Sequence, residues 1–238
     1  MDIRNTFHPV QRRISVIRWK ALYGTAILAV FFGGSAKADP TCVPFSGNGK
    51  QSFDLDACRP APVSAEEKKA VLRSLPPEGE VTGLAERERR KLSDLTAVLR
   101  LHKRESVYLI KVISVPQAWI GLHARAVVLI SLPALQLLDS EELQALVAHE
   151  VGHEYLWKEY AAAQKDNNNA RLSELELASD GMAVLTLQRL GLRPDRLISG
   201  LEKASWFNRE HLGWATNEKS YPSLKARRHL VKVMSNAE

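Results

Sequence analysis

The chain is poor in cysteine: its 238 residues hold two, Cys42 and Cys58, sixteen positions apart. A thiolate metal cluster is thereby excluded, since no histidine or further cysteine stands near either one. Strong basic runs are also missing. The formal charge is +6, from 33 Lys and Arg against 27 Asp and Glu. Residues 1–38 hold six of the bases and one of the acids, so residues 39–238 carry 27 and 26, a charge of +1. Only Arg87–Lys91 clusters bases, and such clusters commonly ride on the solvated face of a helix. That distribution gives no footprint for nucleic acid. Beyond residue 38 no apolar run reaches the ~20 residues a membrane-spanning helix needs.

The basic excess belongs to a leader. Arg4, Arg12, Arg13, Arg18 and Lys20 precede an uncharged stretch from Ala21 to Ala36, and Ala36-Lys37-Ala38 offers small residues at the two positions a signal peptidase reads. Residues 1–38 therefore read as a secretory signal peptide, which implies a periplasmic protein. The alternative is a retained anchor, in which case the leader is the only membrane contact. Three glycines and the shortness of the apolar stretch favour cleavage. No cysteine at the cleavage point invites a lipid. In an oxidising compartment Cys42 and Cys58, set among Pro40, Pro44, Gly47, Gly49, Pro60 and Pro62, are expected to form a disulfide. The chain divides on this reading into the leader, a loop-rich segment over 39–80 and a domain over 81–238. Its 45% hydrophobic content suffices for one sizeable core.

The most informative stretch is His149-Glu150-Val151-Gly152-His153, inside the apolar run that follows Glu141-Glu142-Leu143. Residues i and i+4 share a helix face, so His149 and His153 can present two imidazoles to one point. Glu150 projects about 100° from His149, where it addresses a water on a metal rather than the metal. Two nitrogen ligands, an open coordination position and a base make a hydrolytic zinc site. Asp139-Ser140-Glu141-Glu142 supplies a capping signature, and the helix is expected from about Ser140 to Ala163, ending at Asp166–Asn169. Upstream, Ser64–Glu67 is a capping box for a short helix. A longer helix follows over about Leu84 to Arg104, on whose apolar stripe His102 reads as a packed residue.

Two strands are expected, Val107–Ile113 and Ala126–Ser131, joined by a loop containing Pro and Gly. The second lies nearest the motif helix. It is the candidate edge strand for an extended peptide substrate, against the alternative of an internal core strand.

A catalytic zinc needs a third protein ligand. A histidine ten residues after His149 is lacking, because that position is Glu159. A later helix, from Leu172 to Leu190, carries Glu176 and Asp180 one turn apart on one face. That suits a ligand carboxylate with a partner carboxylate orienting an imidazole. Glu174 is rotated about 200° from Glu176 and reads as a solvated edge.

These residues resemble the HtpX and CAAX-prenyl-endopeptidase family of zinc peptidases. His-Glu-Val-Gly-His is followed by Glu-Leu-Ala-Ser-Asp-Gly-Met-Ala, similar to that family's Glu-x-x-Ala-Asp-x-x-Ala, with Ser179 for the usual Ala. Leu190–Asp195 is similar to its Gly-x-x-Pro turn. Tyr221-Pro222-Ser223 with Arg227 is similar to its His-Pro-x-x-x-x-Arg terminus, with Tyr221 in place of His. The resemblance implies an α+β, mostly helical zincin-type domain whose small sheet borders the metal with an edge strand. It implies one zinc per chain on His149, His153 and Glu176, Glu150 as general base, Asp180 behind the ligands, and a protein or peptide substrate. A zinc-stabilised binding or chaperone-like module is the competing class. The intact Glu150 favours the enzyme, since a structural site has no need of it.

Overall fold

The structure is a computed structural model that describes residues 55–75, 79–213 and 221–236. The expected leader over 1–38, Cys42 and Trp214 lie outside the described residues. In chain order the elements are α1 (Ala65–Ser74), α2 (Glu86–Leu101), β1 (Leu109–Ile113), β2 (Ile120–His123) and β3 (Val127–Ser131). They continue with α3 (Leu132–Leu137), α4 (Ser140–Tyr155), α5 (Trp157–Lys165), α6 (Asn169–Arg189), α7 (Asp195–Leu212) and α8 (Leu224–Ser235). A mostly helical α+β architecture with one small mixed sheet is what the sequence predicts. None of the described helices is long and apolar enough to cross a membrane.

α4 is the axis of the fold. Asp139 accepts from Glu142 N–H and Glu142 returns the bond to Asp139 N–H, so the helix opens on a capping box. Twelve of its sixteen residues are buried, which makes it a core helix rather than an amphipathic one. α6 packs along it, and α2, α7 and β2 close the other sides. The α4–α6 crossing is close because position 152 is glycine: a Cβ there would stand 3.1 Å from Ser179 Cα, Ser179 O and Met182 Cβ. A Cβ at that position requires the α6 backbone at Ser179 to give by a few tenths of an ångström. α6 then ends at Gly191, whose φ of 68° continues the chain past the last turn.

Two expectations need correction. The strand at 126–131 is not an edge. The sheet order is β1-β3-β2, with β1 parallel and β2 antiparallel to β3, so β3 is central and all five of its residues are buried. The edge facing α4 is β2, in the segment expected to be a loop. It escapes sequence reading because it is four residues long and its turn carries neither Gly nor Asn. Ala124 and Arg125 both take positive φ, 47° and 56°, and Ala126 N–H closes the turn on His123 C=O at 3.0 Å. Such φ values cost an L-residue about 1–2 kcal/mol each. The second correction is that the motif helix does not run to Ala163. It breaks at Leu156 (φ −109°, ψ 12°), and α5 starts afresh at Trp157.

The expected 39–80 segment meets the rest through both backbone and side-chain contacts. Residues 79–81 pair along the outer side of β1, and Leu55 is buried in the core. Pro60 C=O accepts from Arg104 Nη2 at 2.5 Å. Cys58 packs half-buried against the core, and its expected partner Cys42 lies outside the described residues. The basic cluster on α2 is not wholly solvated either: Lys91 is buried, and its Nζ donates to Leu135 C=O at 2.7 Å and to Leu138 C=O. A cation there caps the C-terminal end of α3.

Candidate metal centre

The i, i+4 spacing on α4 sets His149 Nε2 3.1 Å from His153 Nε2, with the rings perpendicular and their centroids 4.7 Å apart. Because Gly152 lets α6 approach, Glu176 arrives opposite them. Its Oε2 lies 3.5 Å from His149 Nε2 and its Oε1 lies 3.7 Å from His153 Nε2. Glu176 is buried, and the three side chains form the one His/Glu group among the described residues able to hold a metal ion. Tetrahedral zinc with bonds of about 2.0–2.2 Å places its ligand atoms about 3.3–3.6 Å apart. The donor set and its spacing fit such an ion.

Each donor is held from behind. His149 Nδ1 stands 2.8 Å from Asp180 Oδ1, off the ideal hydrogen-bond line, so the contact owes more to charge than to alignment. His153 Nδ1 meets Ser179 Oγ at 3.1 Å. Both imidazoles therefore spend Nδ1 on the protein and turn Nε2 towards the same point. Arg227, buried on α8, donates from Nη2 to Glu176 Oε2 at 2.9 Å and from Nη1 to Asp180 Oδ1 at 2.6 Å. Tyr160 on α5 donates its hydroxyl to Glu176 Oε1.

Electrostatics among these groups are strongly perturbed. Burial works against a charged His149, but Asp180 and Glu176 outweigh it and raise its pKa to about 10. His153 is pushed down to about 4, chiefly by burial. The opposite signs follow from unlike surroundings: Asp180 and Glu176 face His149, whereas burial dominates at His153. Burial would raise Glu176, yet His153, His149 and Arg227 hold it well below the carboxylate range. Glu150 is raised to about 7, mainly by burial. Its Oε2 accepts from Leu122 N–H at 3.0 Å, so β2 fixes this carboxylate beside the histidines without making it part of the donor set.

The structure thus brings together His149, His153, Glu176, Glu150 and Asp180. Glu174 is exposed and paired with Arg171 at 2.8 Å, away from the site. The other described histidines stay out. His102 is fully buried between Tyr155 and Thr186. His123 ends β2, His229 is exposed on α8, and His211 stacks on Phe207 at 4.3 Å on the exposed end of α7. Sequence reasoning missed the roles of three residues. Arg227 was visible only as part of a terminal pattern, and Ser179 only as a departure from one. Tyr160 gave no signal, because its place depends on the break at Leu156.

The family model for peptidase family M48 matches residues 84–159, from the approach to α2 through the motif helix into α5. The match supports a metallopeptidase. It stops short of Glu176, Asp180 and Arg227, so the second half of the site stands on its geometry. No curated protein matches the chain.

Proposed function

We propose that the chain is a zinc-dependent endopeptidase of exported or envelope proteins, with His149, His153 and Glu176 as ligands and Glu150 as general base. The observation that carries this reading is the convergence of two Nε2 atoms and one carboxylate with Glu150 held beside them. When bound, zinc supplies Lewis acidity, which polarises a carbonyl and brings a water's pKa towards 7. Glu150 takes the proton of the attacking water, its orientation fixed by Leu122 N–H, and returns that proton to the leaving amine. Asp180 keeps His149 turned with Nε2 inward, and Arg227 holds Glu176 and Asp180 together.

The substrate binds extended along β2. In the β2–β3 register, Ser131 N–H donates to Trp119 C=O, so backbone groups of residues 119, 121 and 123 face β3. Those of Ile120 and Leu122 face the other way, as the Leu122 bond to Glu150 requires. Pairing through backbone alone favours sequence-tolerant recognition.

Glu150→Gln should retain zinc yet lose at least about 100-fold in casein hydrolysis, as loss of a general base predicts. A chelator should abolish wild-type cleavage. Undiminished cleavage by either preparation defeats the mechanism. The proposal places the protein in the periplasm after cleavage behind Ala38, with Cys42 and Cys58 paired. Unreduced, denatured protein should then begin at Asp39 and label no thiol, and two labelled thiols remove the disulfide.

A further inference from the structure

Tyr160 does nothing in the scheme above, yet it touches two of the three proposed ligands. Seven residues after His153, it would lie about 10.5 Å further along an unbroken helix. The break at Leu156 changes that. Its ring stands edge-on to His153 with centroids 4.8 Å apart, and its hydroxyl donates to Glu176 Oε1. No Pro or Gly stands at 155–157 to explain the break. A helix interrupted without such a residue commonly marks a functional constraint.

We infer that Tyr160 is a positioning residue that fixes the metal-binding rotamer of Glu176, a role that rests on the metal reading above. The two oxygens of Glu176 are claimed from different directions. Arg227 Nη2 donates to Oε2 at 2.9 Å, and Tyr160 donates to Oε1. A guanidinium prefers to take a carboxylate with two parallel bonds. Here Nη1 is engaged by Asp180 at 2.6 Å, and the Tyr160 hydroxyl anchors the other oxygen. Without that hydroxyl the carboxylate is free to rotate towards Arg227 and away from the histidines. A phenol is a neutral donor, so it holds Glu176 without cancelling the charge a dication needs. Ring contact with His153 ties the second imidazole to the same side chain.

The test is Co2+ titration of the metal-stripped full-length protein, followed by visible d–d absorption, for wild type and Tyr160→Phe. The Phe variant keeps the ring and loses only the hydroxyl, and far-UV circular dichroism checks its fold. Expected is tight binding by wild type and about tenfold weaker binding by the variant, with altered band shape, as loss of a ligand-orienting bond predicts. Equal affinity in the two proteins overturns the role of Tyr160 and leaves the metal site standing. Weaker affinity with an unchanged spectrum also overturns it, because the ligand geometry would then not depend on the hydroxyl. Failure of wild type to take up cobalt overturns the metal reading and this one with it.

Discussion

His153 and Glu154 are neighbours on α4, yet they belong to two buried polar clusters of opposite character. Glu154 has no exposed surface, and its carboxylate accepts from Arg104 Nε at 2.7 Å, from Tyr108 hydroxyl and from Arg125 Nη2 at 3.2 Å. Burial, reinforced by Glu154, pushes the Tyr108 phenol well above its ordinary range, so it stays a donor. The three donors share one carboxylate of opposite charge or need, with Arg125 Nε alone of the hub's buried nitrogens left without a hydrogen-bond partner among the described residues. Around His153, by contrast, the Nε2 atoms of two imidazoles and a carboxylate converge on one point, and Asp180 Oδ2 has no hydrogen-bond partner among the described residues. Complementary donors and acceptors make a structural hub, whereas convergent metal-ligand atoms make a place for a cation. Burial and charge alone would not tell the two apart.

The hub's breakage should have the largest effect on folding. Glu154→Ala leaves Arg104 and Tyr108 buried without their shared acceptor, and removing one partner of a buried pair costs about 3–5 kcal/mol. Urea unfolding should show that loss, while protein that remains folded still binds metal. A midpoint equal to wild type would deny the hub its role.

Next comes a third cluster, built around His102. Thr186 Oγ1 donates to Met182 C=O at 2.8 Å, so it accepts from His102 Nε2–H, and Tyr155 hydroxyl donates to Nδ1. The ring is neutral, and burial depresses its pKa to about 3. The unfolded chain therefore binds the proton first, near pH 6.5. Its contribution is complete above that value and is lost as pH falls towards 3, by up to about 1.4 kcal/mol per pH unit. His102→Gln should flatten that acid slope. An unchanged slope would place the protonation elsewhere.

The smallest effect should be at Glu174, exposed and paired only with Arg171. Its replacement by Ala should change stability by less than about 0.5 kcal/mol and leave metal content alone.

The sequence exposes the first of these clusters far better than the others. His149, Glu150 and His153 sit within five residues, and helical geometry alone brings them together. Glu176 and Asp180 were reachable by spacing and by resemblance. Glu154 lies in the same stretch and gave no sign of the hub, because Arg104, Tyr108 and Arg125 come from elements whose packing no local pattern encodes. The sheet was half legible. Ala126–Ser131 reads as an unbroken apolar run, which is the mark of a strand buried on both faces, and that signal argued against an edge. β2 was hidden by a turn made of Ala124 and Arg125 in a conformation that sequence rules assign to Gly or Asn. The break at Leu156 was likewise silent.

Zinc stoichiometry after dialysis against a weak chelator, for wild type beside Glu176→Ala, tests the contrast most directly. The convergent cluster predicts one zinc per wild-type chain and its loss from a Glu176→Ala protein that is still folded. A wild-type chain without zinc, or a Glu176→Ala chain that keeps it, would contradict the account.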